Sequence, residues 1–413
     1  MQKSHDLFDS VTLWAVIATV VVAPTQYGIT LGGQINVTLV DPLIWGTAFL
    51  WGINRLRKRD FIDVPLPPLV ISLFVVLAAL SAVRGAGLLQ SAKDLIQLIE
   101  YFILAYILFT HVAVRRMGAM AVARLFLAVA SVVILIGVIQ YLTTPVDDFA
   151  VGATFGNRNV YGGFLSLCLP LFLGMLIYDN QWRRRMWYAA ALLLGLATTL
   201  SGATMIAVAV GGSMVCLSRG QRTFLGFALV LVLLLGVVLP RLPRENTWEL
   251  HDSIAMFEGD GTPAQRYPEW QAAFIMAQEH PLLGVGIGHY QENVGRYYGT
   301  LPSRNKKAEA DTQNLYLVLA SSIGFPGLLA FTGVLGLSVL RGINGTTRVP
   351  EPAVRGCCAG SAGALIAFSI NSIWAPLLVR GIGIPLILVM VLASACTASR
   401  LISKNEECDP GIV

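Results

Sequence analysis

The chain has 413 residues, of which 55% are hydrophobic and 13% are charged, and its formal net charge at pH 7 is +5. Soluble proteins carry charged residues at about 25% of positions, whereas apolar runs long enough to cross a bilayer recur along this whole chain. These features exclude a soluble enzyme and predict an all-α polytopic membrane protein embedded among membrane lipids. The basic residues stand in short clusters between the apolar runs, so the charge indicates no nucleic-acid partner.

About twelve transmembrane helices are predicted from the apolar runs and the polar breaks between them. Helices 1–9 occupy residues 1–240, one large outer loop occupies 241–311, and helices 10–12 with a short tail occupy 312–413. The first run is interpreted as a retained span because no small-residue cleavage site follows it. The predicted spans are 11–27, 40–54, 67–83, 94–114, 119–142, 159–179, 186–200, 202–218, 223–240, 312–340, 356–376 and 382–400.

The basic clusters predict the orientation, because cytoplasmic loops are enriched in Lys and Arg. Alternate connections carry the clusters, and the short connections between them carry at most two basic residues, Arg84 and Lys93 in the 84–93 connection. The clusters are Arg55, Arg57, Lys58 and Arg59; Arg115 and Arg116; Arg183, Arg184 and Arg185; Arg219 and Arg222; Arg341, Arg348 and Arg355; and Arg400 and Lys404. We therefore expect both termini in the cytoplasm and the 241–311 loop in the periplasm, outside a bacterial inner membrane.

Several kinds of chemistry have no sequence support. The six cysteines lie in or near apolar segments without a CxxC pair, which favours packing over a disulfide or metal framework. The chain has no phosphate-binding glycine loop, HExxH or GxSxG motif. We expect no metal ion and no cofactor.

The outer loop contains a predicted amphipathic surface helix over residues 268–280. Pro268 suits its first turn, Glu269 complements the helix dipole, and a proline stops it. Its predicted apolar stripe is Trp270, Ala273, Phe274 and Ala277. Arg266 precedes this helix, and a guanidinium beside a helix N-terminus favours a phosphate or diphosphate. Alternatively, Arg266 pairs with Glu269 or Glu258 on the surface.

A second candidate anion site lies at the outer start of the sixth span. Asn157 and Asn159 flank Arg158 there, and Asn favours the N-cap position. Arg158 either binds a diphosphate or extends to lipid phosphates. Arg84 and Arg380 also lie at outer helix ends and are further candidates for the same role.

Titratable residues at the outer face are candidates for acid–base chemistry. His289 lies in GVGIGHYQ, whose glycines predict close backbone approach, and Asp311 stands where the tenth span starts. The alternatives are a structural His289 and an Asp311 that caps the helix through the amide of Gln313 or Asn314. The remaining candidates are Glu309, His251 and His280.

The fourth span carries unusual polarity near its outer end. Lys93 and Glu100 lie on the same helix face, seven residues apart. Ionisable residues at such depth face the bundle interior. The two side chains either form a structural pair or line a cavity.

Three segments in order resemble the O-antigen ligase and polymerase superfamily of membrane glycosyltransferases. They are GATFGNRNVYGGFLSL (152–167), AQRYPEWQAAFIMAQEHPLLGVGIGHY (264–290) and ADTQNLYLVLASSIGFPGLLAF (310–331). The family pattern is G-T-F-x-N-x-N before a helix, then R-x-x-x-W and P-L-x-G-x-G, then D-x-H-N-x-Y-L and G-x-x-G-L. The predicted span number and the large outer loop also fit this superfamily.

The resemblance implies transfer of a glycan from an undecaprenyl-diphosphate donor, without metal or nucleotide sugar. The acceptor is lipid A–core in the ligases and a second lipid-linked glycan in the polymerases. It implies that arginines hold the diphosphate, which here would be Arg266, Arg158 and Arg380. In the family, a histidine before the N-x-Y-L helix takes the proton of the acceptor hydroxyl.

The chain departs from the family pattern in two places. The histidine position holds Gln313, which cannot act as a general base, and Ser201-Gly202-Ala203 lacks the arginine of an S-R-G motif. We therefore expect Asp311 or His289 as the base, with Gln313 hydrogen-bonding to sugar. The candidate residues for binding the acceptor or the sugar are Asn314, Asn157 and Asn159.

Other functions are compatible with the same sequence. A branch with a different acceptor, or an inactive family member within an envelope assembly, would explain the missing histidine. A secondary transporter is the alternative class, because twelve spans with both ends inside are common among transporters. The departures favour a polymerase over a strict ligase.

Overall fold

The computed structural model of the protein describes residues 7–26, 28–31, 35–58, 68–85, 87–143, 151–199, 201–233, 262–300 and 313–407. These residues form helices, short connections and one antiparallel hairpin, whose strands β1 (Gly28–Leu31) and β2 (Ile35–Thr38) pair Gly28 with Thr38. The first nine helices are α1 Leu7–Val22, α2 Val40–Lys58, α3 Leu69–Ala82, α4 starting as Leu88–Ile99, α5 Ala119–Thr143, α6 Arg158–Tyr178, α7 Trp182–Thr198, α8 Gly202–Arg219 and α9 Gln221–Leu233.

Two of the remaining helices, α10 and α11, lie in the predicted outer loop, and three follow it. They are α10 Thr262–Glu279, α11 Tyr290–Val294, α12 Leu315–Arg348, α13 Pro352–Asn371 and α14 Gly383–Glu407, with a 3-10 turn over Gly295–Thr300. Helix α4 continues beyond Ile99 through two π-helical turns, Glu100–Ala105 and Phe109–Val114, to Arg115–Met117. Such π-helical turns are rare in proteins, and those that occur often lie at functional sites.

Each predicted span overlaps one of these helices. Within the described residues, six helices are long and apolar enough to cross a membrane: Leu89–Met117, Ala119–Thr143, Arg158–Tyr178, Gly202–Arg219, Leu315–Arg348 and Pro352–Asn371. Four more are apolar but shorter, among them Leu7–Val22 and Leu69–Ala82. A polytopic helical membrane protein is therefore supported, and the number of twelve spans stays a prediction.

Small residues allow the central helices to pack closely. A Cβ on Gly174 of α6 would lie 2.4 Å from the carbonyl oxygen of Gly356 in α13. A Cβ on Gly211 of α8 would lie 2.3 Å from the carbonyl oxygen of Gly363, also in α13. Membrane helices associate through such small-residue contacts, because lipid provides no hydrophobic driving force between them. The core is therefore built around α6, α8 and α13.

The basic clusters gather at one end of the bundle. Asp9 binds Lys58 at 2.8 Å and Arg116 at 2.7 Å, which joins the start of α1 to the ends of α2 and α4. Helix α5 leaves this end, and α6 returns to it, where Asp179 binds Arg184 at 2.8 Å. The hairpin and the outer-loop helices lie at the opposite end. This segregation agrees with the charge pattern, and the side of the membrane at each end stays a prediction.

Candidate functional site

A glycine-rich loop between α10 and α11 docks into a break in α12. The break lies at Gly324, where φ is 86° and ψ is 170°. The amides of Val285 and Gly286 donate to the carbonyl oxygens of Ser321 and Ser322 at 2.9 and 3.1 Å. A Cβ on Gly284, whose φ is +65°, would lie 2.3 Å from the carbonyl carbon of Ser322. The predicted close backbone approach is confirmed, and its partner is the opened helix.

His289 follows this glycine loop and is buried, with 2% of its surface exposed. Its Nδ1 lies 2.8 Å from a carboxylate oxygen of Glu292. Its Nε2 lies 3.1 Å from the hydroxyl of Ser91 and 3.1 Å from the carbonyl oxygen of Gly87. Both ring nitrogens therefore have protein partners, and the side chain joins the loop to the start of α4.

The helix in the outer loop is longer than its sequence pattern indicates. It starts at Thr262 rather than at residue 268, so Arg266 lies inside α10 and not ahead of it. Pro263, not Pro268, therefore occupies the first turn, where a missing N–H costs least. The prediction that Arg266 precedes this helix is therefore wrong.

The inner face of α10 forms a small separate core. The core consists of Ala272, Ala273, Met276, Tyr290 and Val294. Of the predicted apolar stripe, Phe274 is instead 47% exposed. The packing partners include Leu317 and Val318, so α10 and α11 lie against the first turns of α12. The outer helices thereby fix one wall of the site.

The first turn of α12 is capped by Asn314, whose side-chain oxygen accepts from the amides of Tyr316 and Leu317 at 3.0 and 3.1 Å. The helix begins at Leu315 with Asn314 as its N-cap, and Asp311, the predicted cap, lies outside the described residues. Gln313 is half-buried and has a left-handed φ of 48°. Positive φ is uncommon outside glycine. Gln313, at the family's histidine position, therefore has an unusual backbone conformation.

The first motif has a similar construction at the start of α6. Asn157 caps the helix by accepting from the amide of Asn159 at 2.8 Å, as predicted, and Arg158 is the first helical residue. Ala153 has a φ of 46°, and the Gln140 side chain bonds both its amide, at 2.8 Å, and its carbonyl oxygen, at 3.0 Å. Among the described non-glycine residues, Ala153 and Gln313 have positive φ.

Motif one also touches the loop before α14. A Cβ on Gly381 would lie 2.9 Å from the ring of Phe155. The neighbouring Arg380 accepts a hydrogen bond on its carbonyl oxygen from Gln26 at 2.6 Å. The first motif therefore contacts the segment that carries Arg380.

The end of the glycine loop, the first turns of α12 and the segment that carries Arg380 border a cavity of about 570 Å³, which we call the outer cavity. Its walls are the start of α4, residues 287–291, the first turns of α12, the 376–380 loop and parts of the hairpin region. The polar lining residues are Gln26, Thr38, Gln90, Lys93, Asp94, Gln97, Tyr290, Gln291, Ser322 and Arg380. The remaining lining residues, such as Leu319 and Val379, give the cavity an apolar side.

Charged groups concentrate at one wall of the outer cavity. Lys93 and Asp94 are neighbours on α4. The Asp94 carboxylate interacts electrostatically with Lys93 and with Arg380. Arg380 forms an ion pair with Asp41, at the start of α2, and their side chains are 18% and 14% exposed. Glu100 is 2% exposed and lies near Asp41 and Arg380. Of the two predicted roles for the fourth span, Lys93 lines the cavity and Glu100 joins a buried charged cluster beneath it.

The predicted site residues are only partly brought together. Arg380 lines the outer cavity, whereas His289 and Asn314 stand directly beside residues that line it. The lining does not include Arg158, Asn157 or Asn159.

The unusual polarity predicted near the outer end of the fourth span does not extend to Gln90 and Gln97, which the sequence alone did not indicate. Gln90, Lys93, Asp94 and Gln97 line the outer cavity. They follow the spacing i, i+3, i+4 and i+7, which places them on one helix face. A polar stripe of this spacing at the start of an apolar span indicates a helix face that lines a polar cavity.

Comparison with protein families bears on the same segments. Residues 187–332 match the family model described as O-Antigen ligase. These residues are similar to the O-antigen ligase family. The match covers the glycine loop and the first turns of α12, whereas motif one lies before it. No curated protein matches the chain.

Proposed function

We propose that the protein is an inner-membrane glycosyltransferase that moves an oligo- or polysaccharide from undecaprenyl diphosphate to an acceptor. The acceptor is lipid A–core for a ligase, or a second lipid-linked glycan for a polymerase. The observation that carries the proposal is the outer cavity, which places Lys93 and Arg380 beside two segments of the O-antigen ligase domain.

In this proposal, Lys93 and Arg380 bind the diphosphate of the donor. Negative charge develops on this group as the sugar–phosphate bond breaks, and fixed cations in a poorly hydrated site stabilise it. The Arg380 guanidinium has five N–H donors, so its ion pair with Asp41 positions the group without using all of them. Arg266 and Arg158, which belong to the family motifs, remain proposed diphosphate ligands.

The apolar side of the outer cavity suits the lipid end of the donor. Leu319 and Val379 line it together with Leu98, Leu315 and Ile323. A polyprenyl chain entering between the helix ends would contact these side chains while its diphosphate meets Lys93 and Arg380. The cavity thus combines the two properties that a lipid-linked glycan needs.

For the acceptor hydroxyl, we assign proton removal to a carboxylate. Asp94 lines the outer cavity, and Asp311 belongs to the family motif. Gln313, Asn314, Asn157 and Asn159 are assigned to hydrogen bonds with sugar. His289 has partners on both ring nitrogens, so we assign it to positioning of the loop.

The first experiment is the envelope glycan profile of a strain that lacks the protein. Complete absence of polymer-capped lipopolysaccharide indicates a ligase, and single repeat units in place of long chains indicate a polymerase. An unchanged profile, together with solute uptake by the purified protein in liposomes, would establish a transporter instead.

The second experiment tests the site with purified protein and a lipid-linked glycan donor. Lys93→Gln should lower the transfer rate, because it removes a cation from the cavity wall. The matched control is Arg296→Gln, which removes one exposed positive charge from the same end of the molecule. Equal rates for the two variants would contradict the assignment. For Arg266, normal transfer by a well-inserted Arg266→Ala protein would exclude it as a diphosphate ligand.

A further inference from the structure

The break in α12 receives hydrogen bonds from outside the helix. In a continuous helix the carbonyl of Ser322 would accept from the amide four residues later, but that residue is Pro326, which has no N–H. The amide of Gly286 in the glycine loop donates to this carbonyl instead, at 3.1 Å. The hydroxyl of Ser81, from the last turn of α3, donates to the same oxygen at 2.7 Å. An unpaired carbonyl is costly where no water reaches it, so the break depends on these partners.

Ser81 and Ser91 together bind the backbone of one loop residue, Ile287. The Ser81 hydroxyl accepts from the amide of Ile287 at 3.1 Å. The Ser91 hydroxyl, from the start of α4, donates to the carbonyl oxygen of Ile287 at 3.0 Å. Ser81 and Ser91 are 0% and 1% exposed. Both backbone polar groups of Ile287 are therefore bound by buried side chains from two different helices, an arrangement that we call the serine clamp.

The serine clamp differs from the ordinary role of serine in a helix. A helical serine can bond the carbonyl oxygen four residues earlier in its own helix. Ser338 of α12 does so with Val334 at 2.8 Å, and it is also buried, at 5% exposure. The bonds of Ser81 and Ser91 instead connect α3 and α4 to the glycine loop, and Ser81 also connects α3 to α12. The clamp therefore fixes these segments relative to one another.

The serine clamp borders the wall of the outer cavity. The two residues that the Ser81 hydroxyl joins, Ile287 and Ser322, both line that cavity. Gly288 and Tyr290, which follow along the loop, line it as well. A displacement of the Ile287 backbone would therefore move one side of the cavity relative to its charged wall on α4.

We propose that Ser81 and Ser91 are positioning residues for glycan transfer. Their buried hydroxyls act through Ile287 and Ser322, and they hold the glycine loop and the break in α12 in place against α4. A displacement of about 1 Å can lower the rate of a reaction between positioned groups by about 10²-fold. The kinetic consequence rests on the proposed transfer reaction, whereas the clamp itself can be measured without it.

Amide hydrogen exchange of the full-length protein in detergent measures the clamp directly. Ser81→Ala removes the partner of the Ile287 amide, so peptides that cover residues 285–287 should exchange about tenfold faster, because an unpaired buried group favours local opening. The control Ser338→Ala removes a buried hydroxyl whose bond stays inside its own helix. It should leave exchange of this segment unchanged. Equal exchange in Ser81→Ala and the unmodified protein would overturn the proposal.

Transfer kinetics with folded protein test the positioning role. Ser81→Ala should lower kcat by about tenfold or more. It should change the KM for the lipid-linked donor little, because Lys93 and Arg380, the proposed diphosphate ligands, do not lie on the glycine loop. Ser338→Ala should change neither constant. A purely structural role would reduce the amount of folded protein and leave kcat per folded molecule unchanged, and that result would overturn the proposal.

The double variant Ser81→Ala/Ser91→Ala tests whether the two hydroxyls act through the same residue. Substitutions that share a partner are not additive, so its kcat should stay close to that of the slower single variant. A loss equal to the product of the two single losses would contradict a shared clamp. If Ser81→Ala fails to insert, Ser91→Ala takes its place in the exchange and kinetic tests. An unmodified protein that transfers no glycan would refute the proposed function, and the exchange result would still decide whether the clamp exists.

Discussion

Replacement of Arg380 by glutamine should destabilise the protein and slow transfer through separable effects. The ion pair with Asp41 is mostly buried, at 18% and 14% exposure of the two side chains. Removing one partner of a buried pair costs about 3–5 kcal/mol, because the other charge is left uncompensated. Asp41 keeps the Thr38 amide at 2.7 Å and the Thr38 hydroxyl at 3.1 Å as donors. We therefore expect a loss near the lower limit, about 3 kcal/mol.

The effect on transfer should be larger than the effect on folding alone explains. A preorganised donor that stabilises developing negative charge contributes about 10²–10³ in kcat. Arg380→Gln should reduce the transfer rate by this order, measured with folded protein and a lipid-linked donor. Asp41→Asn, which leaves the guanidinium in place, should retain most of the rate.

The double variant Arg380→Gln/Asp41→Asn separates the two roles. It has no uncompensated carboxylate, so its unfolding temperature should rise above that of Arg380→Gln. Its transfer rate should stay as low as that of the single variant, because the cation is still absent. If the double variant recovers both stability and transfer, Arg380 acts only through the fold and our diphosphate assignment is wrong.

Three further substitutions give independent tests. Asn314→Ala removes the cap of α12 and should lower stability by about 1 kcal/mol, seen as a lower unfolding temperature that Asn314→Asp restores. Gly284→Ala forces a Cβ to 2.3 Å from the carbonyl carbon of Ser322 at a φ of +65°. This substitution should lower both stability and transfer. The control Gly295→Ala, whose Cβ would have nothing within 4 Å, should change neither. Gln313→Gly should leave stability equal or raise it by up to about 1 kcal/mol, because glycine adopts a left-handed φ without strain, yet it should lower transfer if the amide binds sugar. A Gln313→Gly protein with full transfer activity would remove this residue from the site.

The helices were predictable because each apolar run in lipid has few alternatives to a helix. With no water to bond the backbone, an apolar span satisfies its N–H and C=O groups internally. The start of α10 was not predictable from the same signal. Its polar first turns, Thr262 to Pro268, lack apolar periodicity, so the sequence pattern predicts a start at Pro268, whereas the helix begins at Thr262 with Pro263 in its first turn.

The site was predictable only where local chemistry specifies geometry. Asn157 as a cap and the glycines before His289 follow from the backbone needs of those positions. The ion pair of Arg380 with Asp41 joins residues separated by 339 positions, and no local pattern indicates such a contact. The polar stripe on α4 was predictable in part, because the sequence shows its helical spacing but not the residues that it faces.

The backbone strain in the two motif segments bears on how the proton is removed. Ala153 and Gln313 both have left-handed φ, which costs about 1 kcal/mol or more per residue. Ala153 is held by two hydrogen bonds with the Gln140 side chain. Gln313 directly precedes Asn314, which caps the buried start of α12. Strain of this kind persists where contacts over-determine a conformation, and it is concentrated at functional sites.

A glutamine held in this way can position a sugar but cannot take a proton. If the protein transfers glycans, the proton must pass to a different group. His289 has protein partners on both ring nitrogens, whereas Asp94 stands on the cavity wall. In our proposal, the role of the family's histidine is divided between separate residues, with orientation of the sugar by Gln313 and proton removal by a carboxylate. Gln313→His tests this division, because a base restored at this position should make transfer independent of Asp94→Asn.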